Sequence, residues 1–487
     1  MTYGMSLQVL LEGWCTGVPD VAVAGINLDS RRIGEGHAFV ALQGSRAHGI
    51  QFAEQAIQSG CAAIICDELA DLPDLDVPVV RVERLSERLG ELASRFWAAP
   101  SDLLTLVGVT GTNGKTSVTH FLAQAWQHAH GSAGVIGSLG YGPLDDLQPA
   151  DHTTPDVFRL NELIAGCLDR GVDRIAMEVS SHALEQERCQ TLQFDAAVFT
   201  NLSRDHLDYH ADMPAYAASK KRLFTEFVPR FAVINRDDLT GRGWIDELQT
   251  VSQVLSYGMA PGAELQAEIL AMDADGMSLR VDGPWGGAEL RTVLLGAFNA
   301  SNLLATAGTL ALLGMDWDEV IAQLEMIEPV PGRMMRFGGE PGQPVVVVDY
   351  AHTPDALAQA LQAVRAHQQG RLLCVFGCGG NRDRGKRAEM GRAAEALADE
   401  IYVTSDNPRY ESMNSIINDI LAGLEQPGQA HAEPDRAAAI TQAIRSSGPG
   451  DIVLIAGKGH ETWQEVAGQR IPFSDVATVR AALEHAA

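Results

Sequence analysis

A chain of 487 residues, 46% of them hydrophobic, is too long for one core, and about three domains is its natural division. Its formal charge of -27 excludes the basic surface that nucleic acid or an anionic membrane requires, and no apolar run reaches the length of a membrane span. The N-terminus MTYGMSLQVLLEGW has neither a basic region nor a small-residue cleavage site, and the scattered cysteines form no C-x-x-C pair, a pattern expected of a cytoplasmic protein with reduced core thiols.

Up to Trp97 the chain alternates strands (21–27, 37–42, 62–66 and 77–82) with helices (50–60 and 85–97), and Ala99-Pro100-Ser101 reads as a boundary. Two strand-end loops stand out. Leu28, Asp29, Ser30, Arg31 and Arg32 form one; Gln43, Gly44, Ser45, Arg46, Ala47, His48 and Gly49 form the other. Each sets hydroxyls, backbone N–H groups and arginine side by side, which suits a diphosphate or a sugar. Solvated turns with surface arginines explain the same residues.

The densest chemistry lies in residues 103–119, LLTLVGVTGTNGKTSVT. A β-rich run ends in Thr110 and Gly111. Thr112, Asn113, Gly114, Lys115 and Thr116 then open a helical pattern through Phe121, Leu122 and Trp126. Strand, glycine loop, Lys-Thr and helix is the build of a phosphate-binding loop: backbone N–H groups and the helix N-terminus face the phosphates. Lys115 would reach the β- and γ-phosphates, and the Thr116 hydroxyl would ligate Mg²⁺. The strict G-x-x-x-x-G-K-[ST] spacing is not met, because Val109 stands where its first glycine belongs and Gly108 is one residue early.

Residues 138–155, with Thr153 and Thr154, read as a long loop over that site. A buried strand, 174–179, carries Glu178 at its end, a suitable place for a Mg²⁺ ligand, with Ser180, Gln186 and Arg188 just beyond. Strand 194–199 leads into TNLSRDHLDYH at 200–210. There His206 and His210 have an H-x-x-x-H spacing, but their flanks are those of a turn, against zinc. Helix 216–227 offers Lys220 and Lys221, and a solvated basic face is the plain reading of such a pair. Strand 233–235 ends in Asn235, Arg236, Asp237 and Asp238, which resemble a base- or ribose-facing loop. Residues 250–295 read as β-hairpins, helix 299–313 has Asn299 and Asn302 in its first turn, and 329–333 is a linker ending in Arg333.

In the last third, strands 345–348, 372–376, 401–404 and 452–456 alternate with helices. They run respectively into Asp349; the glycine-rich stretch before Arg382; Asp406, Asn407, Pro408 and Arg409; and Gly457 with Glu461. Near-continuous apolar strands joined by helices predict a doubly wound parallel sheet with binding at the strands' C-terminal ends. Gly377-x-Gly379 hints at a dinucleotide, but no acidic ribose-binding residue clearly follows.

Taken together, TGTNGKT (110–116), MEVSSH (177–182), TNLSRDHLDYH (200–210), Gly332-Arg333 and DYAHTPD (349–355) resemble the Mur ligase family along essentially the whole chain. DNPR at 406–409 resembles the motif of members that take meso-diaminopimelate. The resemblance implies an α/β chain of three domains. These are a UDP-sugar-binding domain (1–100), a P-loop ATPase-like domain with a mostly parallel sheet (101–332), and a Rossmann-like amino-acid-binding domain (333–487). It gives the 110–116 loop, Asn299, Asn302, Arg333 and Asp349 to ATP. Thr116, Glu178, His206 and a carbamylated Lys220 go to Mg²⁺, and Lys115, Lys220, His206 and Glu178 to catalysis. Leu28, Ser30, Ser45, Arg46 and Ala47 are assigned to the uridine end, and Thr153, Thr154, Ser180, Gln186 and Arg188 to the muramoyl dipeptide. Arg382, Asp406, Asn407, Pro408, Arg409, Gly457 and Glu461 are assigned to diaminopimelate.

The activity so implied is ATP-driven amide formation through an acyl phosphate, in cytoplasmic peptidoglycan precursor synthesis, by a monomer with small-molecule partners. A nucleotide-dependent switch is the rival from another class, disfavoured because a switch needs no second substrate pocket. A lysine-adding relative and a folylpolyglutamate-synthase-like enzyme are the alternatives within the ligases.

Overall fold

The computed structural model describes residues 4–44, 47–67, 75–206, 209–367 and 370–484. They divide into two units, Met1–Tyr257 with Gly308–Gly314 and Gly258–Ala307 with Met315–Ala487.

The first unit begins with four parallel strands in sequential order, Gly25–Asn27, His37–Ala41, Ala63–Cys66 and Val79–Arg81. Alternate residues feed two cores, as the two-residue period of a strand requires. Ala38, Val40 and Ile65 meet Leu92, Phe96 and Phe158 on one face, and Phe39, Ala41 and Ile64 meet Ile50, Ala53 and Ala56 on the other. The expected strand 21–27 breaks at Ala24. Ala22–Val23 pairs antiparallel with Met5–Ser6, while Gly25–Asn27 pairs parallel with His37–Ala41. The expected helix 50–60 opens as a 3₁₀ turn, Gly49–Phe52, and continues as Ala53–Gln58, because His48 Nδ1 accepts the Ile50 N–H at 3.0 Å and sets a tight start.

In the rest of this unit, strand Thr105–Thr110 lies parallel between Arg174–Glu178 and Ala196–Phe199. Phe231–Asn235 and Gln253–Gly258 extend the sheet on one side and Gly134–Gly137 on the other, all parallel. The parallel strands therefore finish on one rim, which collects Thr110, Glu178 and Phe199. Two expectations change. The 138–155 loop contains an antiparallel edge strand, Gly140–Pro143, and Gln253–Gly258 is a parallel strand rather than half of a hairpin.

The second unit carries antiparallel hairpins, Leu265–Asp273, Gly276–Gly283 and Gly286–Thr292, as expected for that stretch. Its six-stranded sheet runs Met335–Gly338, Val345–Asp349, Ile452–Ala456, Leu372–Phe376, Glu400–Val403, His431–Ala432, with only the first antiparallel to its neighbour. Helices Pro354–Arg365, Gly385–Leu397 and Met413–Leu421 bury Leu357, Leu361, Met390 and Ile420 on one face. Arg436–Ser446 and Asp475–Glu484 bury Ile440, Ile444 and Val479 on the other. The strands on either side of Ile452–Ala456 lead into helices on the first face, whereas Ile452–Ala456 itself is preceded and followed by helices on the second, so the crevice opens beyond its end, beside Gly457. The edge strands and the hairpin Trp463–Val466/Gln469–Pro472 escaped sequence reading. Their residues are half-buried or exposed without alternation, so no period marks them. Among the described residues no helix is long and apolar enough to cross a membrane.

Candidate active site

The phosphate loop leaves its buried strand at Gly111, whose φ of 148° puts it where side chains are rarely found. A Cβ there would stand 1.9 Å from Thr200 Oγ1. The neighbouring strand end braces the loop. Thr112 N donates to Asn201 O at 2.8 Å, Asn113 N to Asn201 Oδ1 at 3.0 Å, and Thr200 Oγ1 to Asn113 O at 2.6 Å. Gly114 precedes helix Lys115–His130, so the open N–H groups of its first turn border the loop. The Lys115 side chain curls back, donating from Nζ to Gly111 O at 2.8 Å and Thr112 O at 2.9 Å.

Glu178 is buried, accepting from Thr116 Oγ1 at 3.1 Å and from Ser138 N at 2.8 Å. Its approach needs a bare backbone opposite, since a Cβ on Gly137 would stand 2.3 Å from Glu178 Oε1. The residues assigned to the muramoyl dipeptide gather around the same strand end. Thr153 and Ser138 hydroxyls are 3.0 Å apart, and Thr154 Oγ1 donates to Glu178 O at 2.8 Å and accepts from Ser180 N at 3.1 Å. Arg188 donates to Thr154 O at 2.7 Å and to Gln186 Oε1 at 2.6 Å. Ser180 also caps helix Ser181–Glu185 through the Ala183 N–H, a role worth about 1 kcal/mol by itself. A cleft of about 240 Å³ lies among Leu28, Leu89, Asp156, Gln186 and Arg188. Ser30 Oγ donates to Gln55 Oε1 at 2.9 Å, and Ala47 O closes its loop by accepting from Gly44 N at 3.0 Å. Ser45 and Arg46 lie outside the described residues.

Lys220 and Lys221 part company. Lys221 is the half-exposed partner of Glu247 at 2.6 Å, as a basic helix face predicts. Lys220 is 1% exposed, donates to Gly111 O at 2.8 Å and sits 4.5 Å from the Tyr216 ring centre. Burial, reinforced by the charge of Lys115 and opposed by Asp205, pushes its amine well below the usual lysine range. His206 is at a left-handed φ of 54°, near Asp205 and edge-on to His182. His210, by contrast, is buried between Ser181 Oγ at 2.9 Å and Glu185 at 3.1 Å. No group of three His, Cys, Asp or Glu side chains is poised around a metal among the described residues. The Glu178 carboxylate and Thr116 hydroxyl are hard oxygen donors, the set Mg²⁺ prefers.

In the second unit Asp349 accepts from Met334 N at 2.9 Å and Ala351 N at 2.8 Å. Burial pushes its carboxyl up, with Arg333 opposing. Arg333 lies 4.8 Å over the Tyr350 ring. Helix Ala297–Leu312 begins before Asn299, so Asn299 caps nothing. It donates to Leu295 O at 2.9 Å and accepts from Asn302 Nδ2 at 3.0 Å.

Around the crevice, Asn407 Nδ2 donates to Glu461 Oε2 at 2.9 Å, and the fully buried Lys458 donates to the same oxygen at 2.6 Å. Arg409, at a φ of 52°, donates to Gly380 O at 2.8 Å and pairs with Glu465 at 3.2 Å. Arg382 flanks the same glycine turn: a Cβ on Gly379 would stand 2.9 Å from Arg409 Nη1 and 3.7 Å from Arg382 Cγ. Behind them Arg387 binds both oxygens of Glu411 and donates to Gly379 O at 3.3 Å, joining the two loops. Sequence reading placed Lys458 in the polar strand-end loop GKGHE at 457–461 but gave it no role, and it missed Glu465, which lies on the undetected hairpin. Six of the seven cysteines are buried and Cys15 is half-buried, none of them in a disulfide, with burial pushing Cys189, Cys374 and Cys378 up to about 12.

Comparison with known proteins extends this picture along the chain. Residues 22–97 match the Mur ligase family catalytic domain, 109–310 the Mur ligase middle domain, and 332–459 the Mur ligase glutamate ligase domain. The chain is 48% identical over 487 residues, 99% of its length and 98% of the relative's, to the UDP-N-acetylmuramoyl-L-alanyl-D-glutamate–2,6-diaminopimelate ligase of Xanthomonas campestris pv. campestris. It is 45% identical over 494 residues, 98% of this chain and 99% of the relative, to the ligase of the same name from Alkalilimnicola ehrlichii. A solved structure of a ligase of that name superposes with a TM-score of 0.74 at 35% identity, covering 100% of this chain and 99% of the other.

Proposed function

The chain belongs to the Mur ligase family, and from that premise we propose that it adds meso-2,6-diaminopimelate to UDP-N-acetylmuramoyl-L-alanyl-D-glutamate, with ATP hydrolysed to ADP and phosphate. The observation that carries this reading is the identity of 48% across 99% of the chain to a ligase of that name. The three-domain division, at 1–100, 101–332 and 333–487, belongs to the same proposal, as do a cytoplasmic setting and a monomeric state.

In the proposed reaction the D-glutamate γ-carboxylate attacks the γ-phosphorus of ATP, releasing ADP and leaving an acyl phosphate. The amine of diaminopimelate then attacks the acyl carbon, and the tetrahedral intermediate expels phosphate and loses the amine proton. Lys115 leaves the carbonyls of Gly111 and Thr112, which it holds at 2.8 and 2.9 Å, and takes up phosphate charge instead. Positioning and electrostatics supply most of the rate in such transfers. Thr116, Glu178, His206 and the carbamate of Lys220 would hold Mg²⁺, which supplies charge neutralisation at the phosphates. The buried Lys220 amine supports this role, because an uncharged amine can add to CO₂ and so become an anionic oxygen ligand. The 110–116 loop with Asn299, Asn302, Arg333 and Asp349 serves the nucleotide. Thr153, Thr154, Ser180, Gln186 and Arg188 take the dipeptide, with Leu28, Ser30, Ser45, Arg46 and Ala47 at the uridine end.

For the amino acid, Arg409 and Arg382 would receive the far carboxylate, and Asp406 and Glu461 the ammonium groups. Asn407, Pro408 and Gly457 shape that pocket. ADP release measured with each substrate omitted in turn tests the reading. Turnover should require the UDP-dipeptide and diaminopimelate together, and L-lysine should not replace the latter. ATP turnover indifferent to both would favour a nucleotide switch.

A further inference from the structure

Arg436 is, like Arg387, a buried arginine of the second unit that the proposed chemistry does not use, and it is 2% exposed. It opens helix Arg436–Ser446, and Asp475 opens helix Asp475–Glu484 on the same face of the sheet. The guanidinium donates from Nε and Nη2 to the two carboxylate oxygens of Asp475, each at 2.7 Å, and both side chains are wholly shielded from solvent. Its remaining donors do not stay within the helices. Nη1 reaches Ser405 O at 3.3 Å and Nη2 reaches Ala456 O at 3.0 Å. Ser405 precedes Asp406, and Ala456 precedes Gly457, so one buried cation touches the start of both crevice loops. Their proximity is close: a Cβ on Gly457 would stand 2.8 Å from Asp406 Oδ2 and 3.8 Å from Arg436 Nη2. After Asp475, the carboxylates whose fields reach Arg436 are Asp406 and Glu461.

We propose that Arg436 is a positioning residue for the amino-acid pocket, fixing through Ser405 O and Ala456 O the loops that carry Asp406–Arg409 and Gly457–Glu461. The inference rests on the reading of that crevice as the site of the incoming diamino acid. A buried ion pair is weak evidence for stability, since apolar residues of similar volume often replace one without loss. Two fixed carbonyls at strand ends, however, are something an apolar pair cannot hold.

The test separates folding from positioning. R436M combined with D475L removes both charges; D475N keeps the guanidinium and its two carbonyl bonds but weakens its partner. Thermal melting and the KM for diaminopimelate, ATP and the UDP-dipeptide are measured for each. The double variant should melt near the wild type yet raise the diaminopimelate KM about tenfold or more, as displaced binding groups do, with the other two KM values unchanged. D475N should melt lower and keep the wild-type diaminopimelate KM. Should the double variant not fold, R436K carries the same test, because lysine cannot span both carbonyls and Asp475. A diaminopimelate KM that follows melting temperature across the variants, or that stays at the wild-type value in the double variant or in R436K, overturns the proposal. A wild type that releases no ADP with both substrates present overturns the ligase reading instead.

Discussion

Lys115 and Lys220 direct their side-chain nitrogens at one oxygen, the Gly111 carbonyl, each at 2.8 Å. Two ammonium groups on one acceptor repel, and the buried one yields: Lys220 is desolvated and feels Lys115 as its second penalty. The uncharged amine this favours is the form that reacts with CO₂. Lys220→Ala should therefore lose about 10²-fold in turnover, the scale at which ligand-shell groups act, and acetate or formate should restore part of it. Intact mass of the active wild type should carry one added CO₂. A wild type active with a plain amine at Lys220 would contradict the assignment.

Gly111→Ala tests the phosphate loop without touching a charge. The methyl would enter the space of Thr200 Oγ1, 1.9 Å away, at a φ few side chains adopt. Nucleotide affinity, read by titration with ADP, should fall while the protein stays folded. Lys115→Ala should leave ADP binding measurable but cut turnover by about 10³-fold, the scale of a single cation in phosphoryl transfer. Equal loss of binding in both variants would assign Lys115 to ground-state affinity alone.

Selectivity should reside in Arg409 and its support. Its backbone N–H donates to Glu465 O at 3.0 Å and its guanidinium pairs with the Glu465 carboxylate, so the hairpin Trp463–Val466/Gln469–Pro472 holds the arginine proposed to receive the far carboxylate. Sites built to satisfy a polar group reject analogues lacking it by roughly 10⁴-fold, but a guanidinium already sharing a carboxylate is less exposed to that penalty. Arg409→Ala should lose most of kcat/KM for diaminopimelate while the KM for ATP is kept. Glu465→Gln should widen discrimination against L-lysine, because Arg409 then goes unpaired when lysine binds. Unchanged discrimination would mean that Glu465 only anchors the hairpin.

Acid stability should track Glu411. Hydrogen bonds from Arg387 hold its carboxyl down to about 2 from an ordinary 4.5, so the folded form binds fewer protons than the unfolded chain in that window. The stabilisation is complete above about pH 4.5 and is lost as pH falls toward about 2. Glu411→Gln should be less stable than the wild type at neutral pH, and their urea midpoints should converge as acid is added. A gap that stays constant with pH would tie the loss to packing rather than to the charge.

What could be read from the residues alone was whatever is contiguous. The strand-loop-helix at 105–130 and the apolar strands of the last third carry their periods and their punctuating glycines in order, so the phosphate loop, the parallel sheets and the polar strand ends were legible. Lys220 and Lys221 mark the limit. Neighbours on one helix, they share a local sequence, yet one is sealed against Gly111 O and the other faces Glu247. The same holds for Lys458 against Asn407, for Glu465 against Arg409 and for Arg436 beneath the crevice. Which cations lose their water, and which carboxylate or carbonyl they meet, depends on segments that only the crossovers of a parallel sheet bring together. Local sequence determines where a polar group can stand; tertiary packing decides its partner and its charge.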